Sequence, residues 1–374
     1  MHDLWRALSF SFGMTWEILW ALVLGFALSA VVQAVVSKRQ LEKLLGDDSA
    51  KTVVVATALG AASSSCSYAA VALARALFRK GASFIAAMAF EIASTNLVIE
   101  LGIVMGLLLG WEFVVGEFVG GPLIIVFVAL LFRLFLKQRL IDEARAEADK
   151  LHRGSMEGHA GMDMSAPSLV SAEGFTATAD YFVMDVAAVI RDVAIGLLIA
   201  GALAAWVPDS FWRSLFLEHH GTLGKLWGPL IGPAVAMLSF VCSIGNVPLA
   251  AVLWNGGISF GGVIAFVFAD LLILPILNIY RKYYGLKMAG FIFVTFYASM
   301  VAAGIVVEFL FKGIGIERHA RNAKVQMAHV SWNYTTYLNV VFLVIAAALV
   351  WRYFRRGGGW RMLKMMEHPM GLTG

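Results

Sequence analysis

The chain has 374 residues, of which 60% are hydrophobic and 14% are charged, with a formal net charge of +4. Soluble domains carry about 25% charged residues, so this composition excludes an ordinary soluble protein and predicts an all-α, polytopic membrane protein. The basic residues stand in short clusters beside apolar stretches, so the expected partner is the lipid bilayer and not a nucleic acid.

Seven apolar stretches are long enough to cross a bilayer, which takes about 20 residues. They are residues 14–36, 83–109, 118–136, 186–207, 259–280, 288–311 and 336–351. Two further stretches, 52–78 and 226–254, are interrupted near the middle by small polar residues that include a cysteine. One arm of roughly 12 residues rises about 18 Å, which reaches the middle of a core about 30 Å thick without crossing it.

The two interrupted stretches are parts of an internal duplication. Residues 63–99 and 239–275 align without a gap at an offset of 176, and 13 of the 37 positions are identical. The two cysteines of the chain are aligned with each other at this offset. Gly81 and Gly257 predict tight turns, each followed by a serine (Ser83 and Ser259) that is placed to cap the next helix.

The distribution of Lys and Arg decides whether the interrupted stretches cross or turn back. Two arginines lie within spans and are left out of the count. If both stretches cross the membrane, the remaining Lys and Arg residues divide 13 to 14 between its two sides. If both turn back, they divide 20 to 7. The positive-inside rule therefore predicts two re-entrant hairpins, with the N-terminus outside and the C-terminus in the cytosol. The second repeat then enters the membrane from the opposite face, which predicts inverted repeats with a binding site between them near the midplane.

The predicted division of the chain follows from this topology. A first membrane repeat covers 1–136, a polar cytosolic linker 137–180 and a second membrane repeat 181–311, while an external loop, a last unduplicated span and a basic cytosolic tail make up 312–374. The linker is predicted to begin as a helix. It also holds imidazole and thioether groups that suit copper or a similar soft ion, the alternative being a linker that binds no metal. These groups are His152, Met156, His159 and Met162.

The paired cysteines, Cys66 and Cys242, are the main candidates for a substrate-binding site. Two thiols that converge on a dry cavity would bind a thiophilic solute such as a trivalent arsenical, a soft metal or a sulfur compound. The neighbouring residues that would add weaker donors are Ser65, Ser67, Ser243 and Asn246. The alternative is that each cysteine is a small residue suited to tight helix packing.

Two acidic residues at membrane depth are the candidates for coupling. Glu91 and Asp270 lie in stretches that the duplication makes equivalent, and a charged residue in a span usually faces a cavity or a partner. We expect them to take part in proton coupling or in solute binding. The alternative is a structural pair, for example with Arg75.

The residues around the second cysteine resemble the predicted-permease family that contains YraQ and the organoarsenical efflux permease ArsP. The resemblance rests on C-S-I-G-N-V-P-L-A at 242–250, W-N-G-G-I-S-F-G-G at 254–262 and the run that continues over 270–284. Residues 66–90 look like the family's first cysteine element, in which many members carry C-S-C where this chain has Ser64, Ser65 and Cys66. The resemblance implies an inner-membrane permease and, for part of the family, export of trivalent arsenicals.

These observations together predict a secondary permease of the bacterial inner membrane that exports a soft metalloid or thiol-reactive solute. No G-x-x-x-x-G-K-[ST] motif is present, so the chain is not expected to use ATP, and neither an enzymatic activity nor a cofactor is predicted. Three alternatives stay open: a transporter of a small sulfur-containing anion, an intramembrane thiol redox enzyme, and a scaffold for a partner. The sequence leaves open the substrate, the direction of transport, the coupling ion and whether the chain forms a homo-oligomer.

Overall fold

The computed structural model describes residues 2–35, 43–63, 67–150, 171–206, 222–239, 243–316, 321, 323 and 332–355, and every regular element in these ranges is a helix. In chain order they are α1 (His2–Val35), α2 (Ala50–Ser63), α3 (Ser67–Arg79), α4 (Phe84–Asn96), α5 (Ile99–Leu108), α6 (Trp111–Phe135), α7 (Gln138–Lys150), α8 (Ala172–Trp206), α9 (Thr222–Ser239), α10 (Ser243–Asn255), α11 (Phe260–Phe268), the 3-10 helix η1 (Ala269–Leu272), α12 (Leu274–Tyr284), α13 (Leu286–Ile314) and α14 (Tyr334–Arg355). The predicted all-α class is confirmed.

Within the described ranges, three helices are long and apolar enough to cross a membrane, namely α6, α13 and α14. Two bent pairs also qualify when each pair is counted as one span: α4 with α5, bent by 41°, and the continuous run of α11 and η1 with α12, bent by 44°. The predicted spans 83–109 and 259–280 are therefore each divided into two helices, which the sequence analysis did not anticipate.

Both bends have local causes. Pro275 lies in the first turn of α12, and Ile273 before that helix is not helical, with φ −60° and ψ 146°. A proline removes one backbone donor and clashes with the preceding turn, so α11 and η1 cannot continue through it. At the first bend Val98 is extended, and the hydroxyls of Ser94 and Thr95 donate to carbonyls of the preceding turn, which competes with regular helix hydrogen bonds.

The duplication is visible in the helix boundaries and in the packing. α2 and α9 end at Ser63 and Ser239, and α3 and α10 cover Ser67–Arg79 and Ser243–Asn255, so equivalent boundaries lie 176 residues apart. α2 packs on α4 as α9 packs on α11, and α4 packs on α6 as α11 packs on α13. The two repeats meet where α1 packs on its counterpart α8 and α6 on its counterpart α13.

The predicted turns and caps between α3 and α4 and between α10 and α11 are confirmed. Gly81 and Gly257 have φ of 106° and 102°, a region that side chains with a Cβ rarely adopt. The hydroxyls of Ser83 and Ser259 each accept a hydrogen bond from the backbone N–H three residues later, at 3.1 and 3.2 Å. Each cap satisfies one of the donors that a helix N-terminus leaves free.

Two arginines extend the duplication beyond the aligned stretch. Arg145 of α7 donates at 2.6 and 3.3 Å to the carbonyls of Phe78 and Ala82, and its guanidinium carbon lies 4.1 Å from the centroid of the Phe78 ring. Arg321, 176 residues later, donates at 2.7 and 2.5 Å to the equivalent carbonyls of the second repeat and lies 3.8 Å from the ring of Trp254. Each repeat therefore holds its tight turn with an arginine.

The helix predicted at the start of the polar linker is present as α7, and α8 begins at Ala172, inside the predicted linker 137–180. α7 is held against α13 by an ion pair of 3.1 Å between Lys287 and Glu143. Hydrogen bonds from Lys287 and then from Arg139 hold the pKa of Glu143 below its usual value. The unduplicated α14 packs on α1 and α8, with the side chain of Asn339 bonded to backbone groups of α1.

Candidate functional site

Described helices flank each of the two cysteine segments, residues 64–66 and 240–242, on both sides. α2 ends at Ser63 and α3 begins at Ser67, while α9 ends at Ser239 and α10 begins at Ser243. The residues in these segments, which include Cys66, Cys242 and Ser65, lie outside the described residues, and so does the side chain of Ser243. The two cysteine segments thus lie between equivalent pairs of described helices, and the roles assigned to these four residues stay predictions.

The first residue after the Cys66 segment contacts the opposite repeat. The hydroxyl of Ser67 donates a hydrogen bond of 2.6 Å to the carboxylate of Asp270, and both side chains are fully buried. Asp270 lies in η1, immediately before the bend at Pro275. One hydrogen bond therefore joins the start of α3 in the first repeat to a bent helix of the second.

Glu91 is also fully buried and bonded to the opposite repeat. Its carboxylate accepts a hydrogen bond from the phenolic hydroxyl of Tyr280 in α12. Asp270 and Tyr280 lie on the two sides of one bend, so the two candidate coupling residues are joined through one bent helix. Arg75, the alternative partner, donates to the carbonyl of Ala148 at 2.6 Å and has its guanidinium carbon 4.3 Å from the centroid of the Tyr283 ring.

Asn246 supplies a buried amide near the start of α10. The residue is fully buried, and neither its amide nitrogen nor its carbonyl oxygen has a hydrogen-bond partner among the described residues. Buried amides are almost always paired, because an unsatisfied polar group costs about 1–3 kcal/mol. This side chain is therefore suited to a ligand, to water or to the cysteine segment that precedes it.

Two fully buried acids, both with 0% exposure, were not predicted as site residues. Glu117 of α6 is fully buried, and it lies directly before the predicted span 118–136, whereas the helix begins earlier, at Trp111. Glu308 of α13 is fully buried inside a predicted span; it forms an ion pair of 3.1 Å with Lys225 and accepts a bond of 2.6 Å from the N–H of Gly261. The available signal was an acidic residue with apolar neighbours on both sides.

Glu308 has a structural role. Gly261 stands in the first turn of α11, where backbone N–H groups have no partner within the helix, and a carboxylate there both accepts a hydrogen bond and interacts with the helix dipole. Lys225 at the start of α9 balances its charge. The carboxylate thus fixes α11 against α9 and α13.

No group of three or more His, Cys, Asp or Glu side chains that could hold a metal ion occurs among the described residues. The candidate metal ligands of the linker, His152, Met156, His159 and Met162, lie outside that part of the chain. Their metal-binding role stays a prediction.

Comparison with known proteins gives consistent findings. A family model described as "Predicted permease" matches residues 3–309. The chain is 64% identical over 339 residues to "Putative permease Rv2963" of Mycobacterium tuberculosis, an alignment that covers 89% of this chain and 83% of that protein. No solved structure matches the chain.

Proposed function

The chain belongs to the family of predicted permeases and is a multi-pass membrane transporter rather than an enzyme, and on that premise we propose which solute it moves and by which path. In this proposal it is a secondary permease of the bacterial inner membrane that exports a soft metalloid or another thiol-reactive small solute. The solute passes between the two cysteine segments. The two repeats insert in opposite directions, with the N-terminus outside and the C-terminus in the cytosol.

The hydrogen bond between Ser67 and Asp270 is the observation that carries the proposed path. It joins the helix that follows the Cys66 segment to the bent helix of the other repeat, at 2.6 Å and away from solvent. Interrupted helices that meet between repeats are the usual setting of a transporter's binding site, because irregular backbone at membrane depth survives where it is buried or lines a cavity. The matched bounds of the described helices at Ser63 and Ser239 support a path shared by both repeats.

The nature of the solute is argued from the two thiols. Cysteine sulfur is a soft ligand that prefers soft metals and metalloids to hard cations. Equivalent positions in two repeats would supply one thiol each, and the buried amide of Asn246, with the hydroxyls of Ser65, Ser67 and Ser243, would supply weaker donors beside them. A solute that can form two reversible bonds to sulfur, one to each cysteine, fits this set of donors.

A small sulfur-containing anion is the second candidate. α3 and α10 begin directly after the cysteine segments, at Ser67 and Ser243. The N-terminus of a helix presents free N–H groups and a partial positive charge, both of which favour an anion. In that case the helix starts, and not the thiols, provide most of the binding energy.

A sensitivity panel separates the two solutes. We expect a bacterial strain that lacks the gene to become sensitive to a trivalent phenylarsenical or to antimonite and to recover when the full chain is expressed. The variants Cys66→Ser and Cys242→Ser are each expected to lose this protection at equal abundance in the membrane, because a hydroxyl is a poor ligand for a soft metalloid. Copper and thiosulfate complete the panel.

The outcomes of the panel are distinct. Protection that survives both cysteine substitutions contradicts the thiol-based path. Thiosulfate transport that is unaffected by either substitution, with no protection against arsenicals, selects the anion instead.

A further inference from the structure

Glu117 of α6 is a buried acid whose carboxylate receives no hydrogen bond. Its residue exposure is 0%, and neither carboxylate oxygen has a hydrogen-bond partner among the described residues. The other buried acids differ in this respect. Glu91 accepts from Tyr280, Asp270 from Ser67, Asp185 from Ser29, and Glu308 from the N–H of Gly261.

The helix surface around Glu117 is apolar. Ideal Cβ atoms built on the adjacent Gly116 and on Gly120 would meet side chains of Phe260, Ile264 and Phe268 of α11 within 3.3 Å. α6 therefore lies close against α11 on this side, in a region of low polarity. An ionised carboxylate in such surroundings, without hydrogen bonds, is costly by several kcal/mol.

The charged group that acts on Glu117 within the described part of the chain is Asp270, which has the same sign. Glu91 of α4 and Glu308 of α13 are the other buried acids on helices packed against α6, and each already accepts a hydrogen bond. α11 carries no titratable residue, and the side chain of Glu100 on α5 is outside the described residues. Nothing described around Glu117 therefore compensates a negative charge on its carboxylate.

We propose that Glu117 is a proton-carrying residue of this permease, which takes up one proton on its carboxylate and returns it during the transport cycle. Uptake converts the carboxylate to a neutral carboxylic acid, which removes both the desolvation cost and the repulsion from Asp270. This inference rests on the proposed secondary transport and assigns the proton as its coupling ion.

Infrared spectroscopy of the full-length protein in lipid tests the protonation directly, without any solute. We expect a C=O stretching band of a carboxylic acid without a hydrogen bond near neutral pH, and we expect Glu117→Gln to remove it. Glu112→Gln on the same helix is the matched control, because Glu112 lies in the first turn of α6 and is partly exposed; this variant should keep the band. An identical spectrum for the wild type and Glu117→Gln overturns the proposal, and so does a band that Na⁺ removes at constant pH.

Transport in everted membrane vesicles gives a second readout, with a trivalent phenylarsenical as the probe. Uptake by the wild type and by Glu112→Gln is expected to rise when the vesicle interior is acidified, whereas Glu117→Gln should show no response to the pH gradient. A gradient response that survives in Glu117→Gln overturns the proposal. If the wild type does not move the probe, the proposed solute fails, while the infrared result still decides whether Glu117 carries a proton.

Discussion

Replacing Asp270 by asparagine is expected to reduce transport to the level of membranes that lack the protein, without loss of folding. The asparagine keeps the size of the side chain and can still accept the hydrogen bond from Ser67. It removes the negative charge that acts on both Glu91 and Glu117. Since a buried charge is costly to the folded state, its removal should leave the melting temperature unchanged or raised.

The measurement for Asp270→Asn is uptake of the phenylarsenical by everted vesicles, together with thermal unfolding in detergent. Asp142→Asn is the matched control, because Asp142 is an exposed residue of α7 that bonds to Gln138 at 3.1 Å. It should transport at the wild-type rate. Wild-type transport by Asp270→Asn at equal abundance would show that the charge is not needed.

Replacing Gly261 by alanine is expected to destabilise the protein by about 3 kcal/mol, because overpacking at a close helix crossing forces the backbone apart. A Cβ at Gly261 would lie 2.1 Å from the carbonyl oxygen of Gly304 and 2.8 Å from the Cβ of Glu308. The shift would also strain the bond of 2.6 Å between the N–H of Gly261 and Glu308. α11 and α13 would separate at the point where they approach most closely.

Gly290 of α13 provides the matched control for this substitution. A Cβ there would meet nothing within 4 Å, so Gly290→Ala should be neutral or stabilising by up to about 1 kcal/mol through helix propensity. The melting temperature of both variants is measured in detergent, from the loss of the monodisperse peak in size-exclusion chromatography after heating. Equal melting temperatures for Gly261→Ala and Gly290→Ala would refute the close-packing argument.

Features that are local in sequence were predictable. The duplication placed Gly81 and Gly257 in tight turns and Ser83 and Ser259 at helix starts, because a turn and its cap depend on a few adjacent residues. The membership of the permease family was also visible in the motif that begins at Cys242.

Features that hydropathy does not register, and features that depend on distant contacts, were not predicted. The long apolar stretches 83–109 and 259–280 were each predicted as one span, whereas each is bent in the structure. Hydropathy does not reveal a bend such as the one before Pro275. Glu117 lies directly before the predicted span 118–136, whereas α6 begins at Trp111. The pairing of Ser67 with Asp270 joins positions 203 residues apart, and no local pattern encodes it.

Each repeat contains a bent helix pair in addition to its cysteine segment, and this changes which residues the site can include. The sequence predicted an interruption only at the cysteine segments, whereas Asp270 and Glu91 lie near the bends of the following helices. Each repeat therefore combines an interrupted helix pair with a bent pair. The acidic residues and the cysteines would then belong to one polar path rather than to two separate sites.

Cross-linking of the two cysteines tests the central claim most directly. The chain has two cysteines, so a short bifunctional thiol reagent can bridge only Cys66 and Cys242 within one molecule. A protease site inserted in the linker within residues 151–170 allows the chain to be cut into two halves. We predict that the two halves stay joined when cross-linking precedes cleavage. We also predict that the phenylarsenical prevents the cross-link between the two cysteines. Halves that separate fully, although both thiols have reacted, would show that the two cysteine segments do not meet and would contradict the account.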